Sequence, residues 1–404
     1  MSILNVFSDI GRLKKVLLHR PGKELENLTP RLLDRLLFDD IPWLELAIKE
    51  HDGFAEVLRR LGVEVLYLED LVTETLDQNP EIKNSFIDQF IKEAKILHPQ
   101  YEEIVKEYLL SFPTKDMVLK TMSGVRKNEL PNFVKKTLSD YIREYPFILD
   151  PMPNLYFTRD PFAVIGNGIS LNKMYTETRR REGIYGEYIF KYHPIYGNDN
   201  IPLFYNRNDK ATIEGGDIII LNDEIIAVGI SERTHPAGIE GLASNIFQNT
   251  NFQKILAFDI PKTRAFMHLD TVFTQVDYDK FTLHDELNRE FKVFEITKNK
   301  DDLDYPKINP IHKKLVDILS ENLNRKVTLI PCGGGDIIAS SREQWSDGAN
   351  TLAIAPGEVI VYKRNYITNE ELVKHGIKIH PIPASELSRG RGGPRCMSMA
   401  FYRE

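Results

Sequence analysis

Two short segments about 120 residues apart repeat one pattern. Ile213-Glu-Gly-Gly-Asp-Ile-Ile219 is echoed by Cys332-Gly-Gly-Gly-Asp-Ile-Ile338, and each copy leads into a strand-like run. The apolar run 225–228 that follows the first copy resembles the run 352–355 that follows the second, across a longer loop. A shared glycine-aspartate turn alone is weak evidence, but with similar flanking strands it points to repeated units of one architecture.

The flanking sequence says what kind of unit is repeated. Residues 13–20 predict a short strand closed by the Pro21-Gly22 turn. A helix is expected from about Ile41 to Leu61, where Leu44, Ala47, Ile48, Phe54, Ala55 and Leu58 recur near a 3.6-residue period and Gly62 follows as a stop. Residues 63–68 then predict a buried strand. Strand, helix, strand is a mixed α/β pattern. Between about 74 and 147 the character changes to helical stripes, one through Phe86, Phe90 and Leu97 and another through Tyr101, Val105 and Tyr108. This lysine-rich stretch holds no cluster of catalytic residue types and predicts a helical insertion on the surface of one larger body spanning 1–404.

Composition narrows the partners. With 42% hydrophobic residues over 404 positions, the chain can bury a large core without staples. A net charge of −7 provides no positive field for nucleic acid or an anionic membrane. Two cysteines, Cys332 and Cys396, rule out a disulfide scaffold and a four-cysteine zinc site. No long apolar run predicts a membrane helix or a secretory signal, so a cytoplasmic protein is expected.

Reactive residue types sit beside turn residues in four places: 150–161, 214–217, 268–271 and 389–399. Each has a bland reading alone. Cys396 could be a core cysteine, His268 a structural histidine, Glu214-Gly-Gly-Asp217 a tight turn, and the Gly-Arg-Gly-Gly run a phosphate cradle lacking its Lys-Ser/Thr ending. Together they read differently. A cysteine nucleophile needs a histidine and a carboxylate that orients it, normally far apart in sequence, and Cys396, His268 and Glu214 supply that set. Asp160 and Asp270 have no role in simple acyl transfer. They make sense if the substrate is a guanidinium, whose planar fork of N–H donors carboxylates match bidentately.

These segments resemble the arginine deiminases, within the superfamily of guanidine-modifying enzymes. The likeness runs along nearly the whole chain, through 37–43, 50–52, 154–161, 214–217, 231–234, 268–273, 342–345 and 390–399. It implies a five-bladed α/β propeller of pseudo-fivefold symmetry with a helical insertion. It implies hydrolysis of free L-arginine to citrulline and ammonia through an S-alkylthiouronium on Cys396, with His268 as general acid and base, Glu214 as its partner, and Asp160 and Asp270 gripping the guanidinium. Arg179 and Arg233 then match the arginines that bind the substrate carboxylate. Asn154, Phe157, Leu37 and Gly390 match contacts at the α-amino end, Arg391 a mobile gating arginine, and Asp217 a support behind the catalytic groups. Gly183 stands where the family carries Thr or Ser. A homodimer or higher homo-oligomer is expected, with water and arginine as substrates.

No cofactor and no metal are expected, because no His-x-x-x-His or similar ligand spacing accompanies the carboxylates. Competing readings are an amidinotransferase or dimethylarginine hydrolase on the same scaffold, a cysteine peptidase, and a non-catalytic arginine-binding protein. The peptidase reading leaves Asp160, Asp270 and the two arginines without a purpose.

Overall fold

The computed structural model describes residues 3–131, 133–142, 145–197, 201–284, 292–299, 302 and 305–404. Among them, five α/β units share one topology: two antiparallel strands, then a helix, then a third strand parallel to the second. Phe162–Ile165, Gly168–Leu171 and Leu203–Tyr205 form one unit around helix Glu182–Tyr192. Ile218–Ile220, Ile225–Ile230 and Lys254–Asp259 form the next, with helix Pro236–Asn249. Phe273–Asp277, Lys280–Leu283 and Thr328–Pro331 form another, with helix Leu315–Leu323. Leu352–Ala355, Glu358–Tyr362 and Lys378–Ile382 follow, with helix Tyr366–Lys374.

The fifth unit joins the two ends of the chain. Its first strand, Met399–Arg403, comes from the C-terminus and runs antiparallel to Leu13–Leu18, which lies parallel to Glu64–Tyr67. Asn5 N donates to Phe401 O at 2.9 Å and Arg403 N to Asn5 O at 2.6 Å, which draws both termini into one sheet. Among the described residues, no sheet closes into a barrel.

Strand burial follows from this layering. Ile225–Ile230 is buried along its whole length, as a strand covered on both faces must be. Glu64–Tyr67 lies at an edge of its sheet, and so is half-buried with Glu64 exposed rather than fully buried as its composition suggests. The helix expected from Ile41 begins at Leu44, because Ile41 precedes Pro42 and is held out of helical geometry. Trp43 N instead donates to Glu386 Oε2 at 2.8 Å. Phe54 and Leu58 lie on the buried stripe of that helix, each contributing roughly 1.5–3 kcal/mol by burial. Gly62 takes φ +81° just past its end, a conformation cheap only for glycine.

Helical structure begins before residue 74, with Leu68–Asp77, and continues through Pro80–Ala94, Gln100–Leu110 and Thr114–Ser123. Val125–Arg126 and Phe147–Leu149 then pair as a two-stranded ribbon, so this stretch is not purely helical.

The two Gly-Gly-Asp copies part company. The first is a 3₁₀ turn feeding strand Ile218–Ile220. The second starts a helix, Ile337–Trp345, because the Asp336 side chain accepts from Ala339 N at 2.8 Å and caps it. Ile337 and Ile338, the counterparts of buried strand residues, are 83% and 71% exposed. The later strand match is also out of step. Leu352–Ala355 is the first strand of its unit, whereas Ile225–Ile230 is the second of its own. The repetition is real in topology but not in the residues that suggested it.

Candidate active site

Each unit sends one segment toward a common centre: the residues just before its first strand. Asp160 precedes Phe162, Glu214 to Asp217 precede Ile218, His268 to Asp270 precede Phe273, Asn350 precedes Leu352, and Cys396 precedes Met399. The strands begin just after these residues, which lie in 3₁₀ turns at 215–217 and 269–271 and in other turns or loops elsewhere, so side chains can face one another across the centre instead of lying on sheet faces.

Cys396 Sγ lies 3.7 Å from Asp270 Oδ2 and 3.9 Å from Oδ1. Asn350 ties the two segments together, its Nδ2 donating to Asp270 O at 3.0 Å while its Oδ1 accepts from Cys396 N at 3.0 Å. His268 Nε2 meets Glu214 Oε2 at 2.8 Å, and its Nδ1 lies 3.8 Å from Asp160 Oδ1. Glu214 Oε1 accepts from Tyr175 N at 2.8 Å, which fixes its other oxygen on the ring. A Cβ on Gly216 would come within 2.6 Å of His268 Nδ1, so only glycine lets the turn approach this closely. Asp217 stands behind, accepting from Leu269 N at 2.8 Å and Ser231 Oγ at 2.6 Å, and so pins the His268 segment.

Burial and charge set the protonation states. Burial alone would lower His268, but Asp160, Glu214 and Asp217 outweigh it and hold the imidazole up at about 9. Burial would raise Glu214, yet the His268 hydrogen bond with Arg233 and Arg179 brings it down to about 2. The Cys396 thiol is pushed well above its ordinary value by burial and by Asp270, Asp160 and Asp347. Burial also raises Asp270, against the opposing pull of Arg395.

Leu37, Asn154, Phe157, Asp160, Arg179, Arg233, His268, Gly390, Arg391 and Cys396 line one narrow cavity of about 20 Å³, with Met267. Glu214 and Asp270 sit immediately behind its wall through His268 and Cys396. All the residues singled out from the sequence are therefore brought together. The cavity has room for about one water. Asp160 Oδ1 has no hydrogen-bond partner there, while its Oδ2 accepts from Arg179 Nη1 at 2.9 Å. Arg179 also grips Glu182 through Nε and Nη2. A Cβ at Gly183 would meet Arg207 Nε at 3.0 Å, tighter than ordinary contact.

Arg391 separates this cavity from an outer vestibule of about 710 Å³ bounded also by Asp39, Trp345 and Arg389. Its guanidinium carbon lies 3.5 Å from the centre of the Trp345 ring and its Nη1 3.8 Å from Asp39 Oδ2. Leu37, Asp347 and Arg391 all adopt positive φ, costly for non-glycine residues and clustered around this entrance. The segment is anchored from the side by Glu50, whose carboxylate accepts from Ser385 N, Ser385 Oγ, Glu386 N and Leu387 N between 2.6 and 3.1 Å.

Asn350, Met267, Arg395 and Asp9 belong to the site and were not singled out from the sequence. Arg395 Nη1 donates to Asp270 Oδ2 at 2.6 Å and its Nη2 to Asp9 Oδ2 at 2.7 Å. Adjacency to Cys396 marks Arg395, but nothing in the sequence marks Asp9 or Asn350. Asp160, Glu214 and His268 also bring ligand-type atoms within 4.8 Å of one another, a cluster that the spacing argument against a metal did not foresee. Arg179 already occupies Asp160, and Arg179 and Arg233 lie 3.9 Å from Glu214, so the cluster carries its own cations.

The sequence model described as arginine deiminase matches residues 34–403. An arginine deiminase of Clostridium perfringens is 56% identical over 406 residues, covering 99% of this chain and 98% of that protein. One from Borrelia duttonii is 54% identical with the same coverage. Solved structures share the fold at low identity. An amidinotransferase of the saxitoxin biosynthetic pathway from Microseira wollei superposes with a TM-score of 0.54 at 16% identity, covering 100% of this chain and 98% of that one. The DDAH of Pseudomonas aeruginosa, solved with citrulline, gives 0.53 at 14%, covering 96% and 100%. The α/β fold is thus shared with these two solved structures, and the chain belongs to the arginine deiminase family.

Proposed function

We propose that this chain hydrolyses free L-arginine to L-citrulline and ammonia, with Cys396 as nucleophile. The observation that carries the reading is a thiol 3.7 Å from Asp270 in a cavity also lined by Asp160, one of whose oxygens has no hydrogen bond, beside an imidazole held by Glu214. Two carboxylates flanking a thiol suit a flat cation whose carbon must lie against sulfur.

The guanidinium enters between Asp160 and Asp270, and its charge beside Sγ favours the thiolate that burial opposes. Sulfur attacks the guanidinium carbon to form a tetrahedral adduct. His268, protonated at neutral pH, gives its proton to the departing nitrogen, so ammonia leaves and a planar S-alkylthiouronium remains. The now neutral His268 takes a proton from water, and the resulting hydroxide adds to the same carbon. Collapse expels the thiolate while the adduct's hydroxyl proton is lost to solvent, where it converts the released ammonia to ammonium, and citrulline leaves.

Arg179 and Arg233 hold the substrate carboxylate. Asn154, Phe157, Leu37 and Gly390 surround its α-amino end. Arg391 swings aside to admit it, since about 20 Å³ cannot hold arginine. The same reading takes residues 1–404 as one catalytic body with 74–147 as an insertion. It arranges the five units as a five-bladed propeller, a ring that the sheet shared by both termini would close. It makes the protein a cytoplasmic homo-oligomer needing no metal or cofactor.

The test is citrulline and ammonia formation from arginine by the wild type and by Cys396→Ala. Equimolar products from the first and none from the second are expected. Citrulline from the variant excludes the covalent route. Ammonia-free consumption that requires an added amine would mean amidino transfer instead.

A further inference from the structure

Behind the proposed nucleophile and Asp270 lies a buried charge cluster, Arg395, Asp9, Arg159 and Arg403, that the reaction steps above leave without a role. Arg395 precedes Cys396 directly, and its guanidinium bridges Asp270 at 2.6 Å and Asp9 at 2.7 Å, with a third donation to Ile218 O at 2.7 Å. Arg159 Nη1 stands 4.0 Å from Asp9 Oδ1, and Arg159 N donates to Cys396 O at 3.1 Å. Arg403 is buried close enough to feel the same carboxylate. Three guanidiniums thus surround two carboxylates, all out of water, leaving one uncompensated positive charge behind the site.

We propose that Arg395 is a positioning residue for the reaction, fixing Asp270 beside Cys396 and acting as the counter-cation that offsets its charge at sulfur, with Asp9 setting how much of that cation reaches the site. The inference rests on Cys396 and Asp270 having the roles given above. Arg395 cannot turn, because its fork is held by three acceptors from separate segments, so Asp270 keeps one orientation. Sulfur lies beside Asp270 and shares its cavity with Asp160 and His268, and it feels the charge of Asp347 while Tyr156, Tyr362 and Arg159 in turn feel its own. Without a cation on Asp270, that setting is dominated by like charge, which opposes the thiolate. Asp9 pulls the other way, since its negative charge offsets Arg395 and Arg159 from behind.

The two residues must therefore move the thiol in opposite directions. Ultraviolet thiolate absorbance is titrated in the substrate-free protein as the difference between each variant and its Cys396→Ala counterpart, which isolates this sulfur from Cys332. Asp9→Asn is expected to lower the midpoint and Arg395→Gln to raise it, each by about one pH unit, a tenfold change in thiolate at fixed pH. Arg395→Lys keeps a charge but makes one contact where the fork makes several. It should raise the midpoint less and reduce kcat about tenfold with little change in KM. If both neutral variants shift the midpoint the same way, or neither shifts it in a folded protein, the proposal is wrong. Should Arg395→Gln not fold, an Arg395→Lys protein with unchanged midpoint and kcat overturns it equally. The titration needs no turnover, so it remains decisive even if Cys396→Ala were found to make citrulline and the proposed reaction failed.

Discussion

The Arg179 guanidinium donates to Asp160 Oδ2 at 2.9 Å, so a guanidinium of the protein already rests on one of the two carboxylates proposed to hold the substrate guanidinium. Glu182 holds the same arginine on its far side, and the three charges are buried. The arrangement keeps Asp160 compensated in this narrow cavity, sparing a bare buried carboxylate. It leaves Oδ1 without a hydrogen bond, 3.8 Å from His268 Nδ1.

In the proposed complex, arginine pairs a second guanidinium with Asp160 and brings a carboxylate to Arg179 and Arg233. Arg233→Leu should lower kcat/KM for arginine by about 10²-fold, the cost of losing a buried charge partner. Agmatine, which is arginine without its carboxylate, should be nearly unaffected. Equal losses with both substrates would mean that Arg233 supports the fold of the site and does not touch the carboxylate.

Asn350 is the fourth segment's contribution to the centre, and it spans the proposed nucleophile and Asp270. Asn350→Ala removes two buried hydrogen bonds at once, roughly 1–3 kcal/mol each when a partner is left unsatisfied. Steady-state kinetics should show kcat reduced at least tenfold, with a lowered melting temperature. Asn350→Asp should not rescue it, since a carboxylate cannot donate to Asp270 O and would face Asp270 with like charge.

His19 gives the protein a pH-dependent stability distant from the chemistry. It is buried between Glu69 at 2.7 Å and Glu24 at 3.2 Å. Burial opposes its charge, but the two carboxylates prevail and hold it up at about 10. Neighbouring His51, buried with both ring nitrogens unpartnered, is pushed down to about 3 by burial and by the positive charge of His19. A folded value above the unfolded one of about 6.5 means that the His19 contribution is whole below about pH 6.5 and lost as pH rises toward 10. Denaturant titrations should show wild-type stability falling by up to about 1.4 kcal/mol per pH unit across that window. His19→Gln should flatten this slope; an unchanged slope would show that His19 is not charged.

The Asp160, Glu214 and His268 cluster has the spacing of a metal site but is occupied by arginine partners. Activity after prolonged treatment with a strong chelator should equal that of untreated enzyme. A loss restored by one divalent ion would assign the cluster to that metal and remove His268 from the proton-transfer role.

Much of the site was legible in the sequence because its chemistry is carried by residue types beside turns. A cysteine, a histidine and three carboxylates, of which Asp160, Glu214 and Cys396 stand close to glycine or proline, point to the reaction class, and the strand, helix, strand order near the N-terminus points to an α/β chain. What only tertiary structure decided is which segments meet. Glu214 and Asp217 lie near residues fifty positions away because five units each turn their first-strand entrance toward one centre, and no local pattern encodes that convergence. Asn350 and Asp9 are ordinary polar residues in sequence, made important by a hydrogen bond to Cys396 and an ion pair to Arg395 across the fold. The second Gly-Gly-Asp copy shows the same limit from the other side. Its letters match the first copy, but Asp336 caps a helix where Asp217 pins a neighbouring turn, because the surrounding packing offers each carboxylate a different donor.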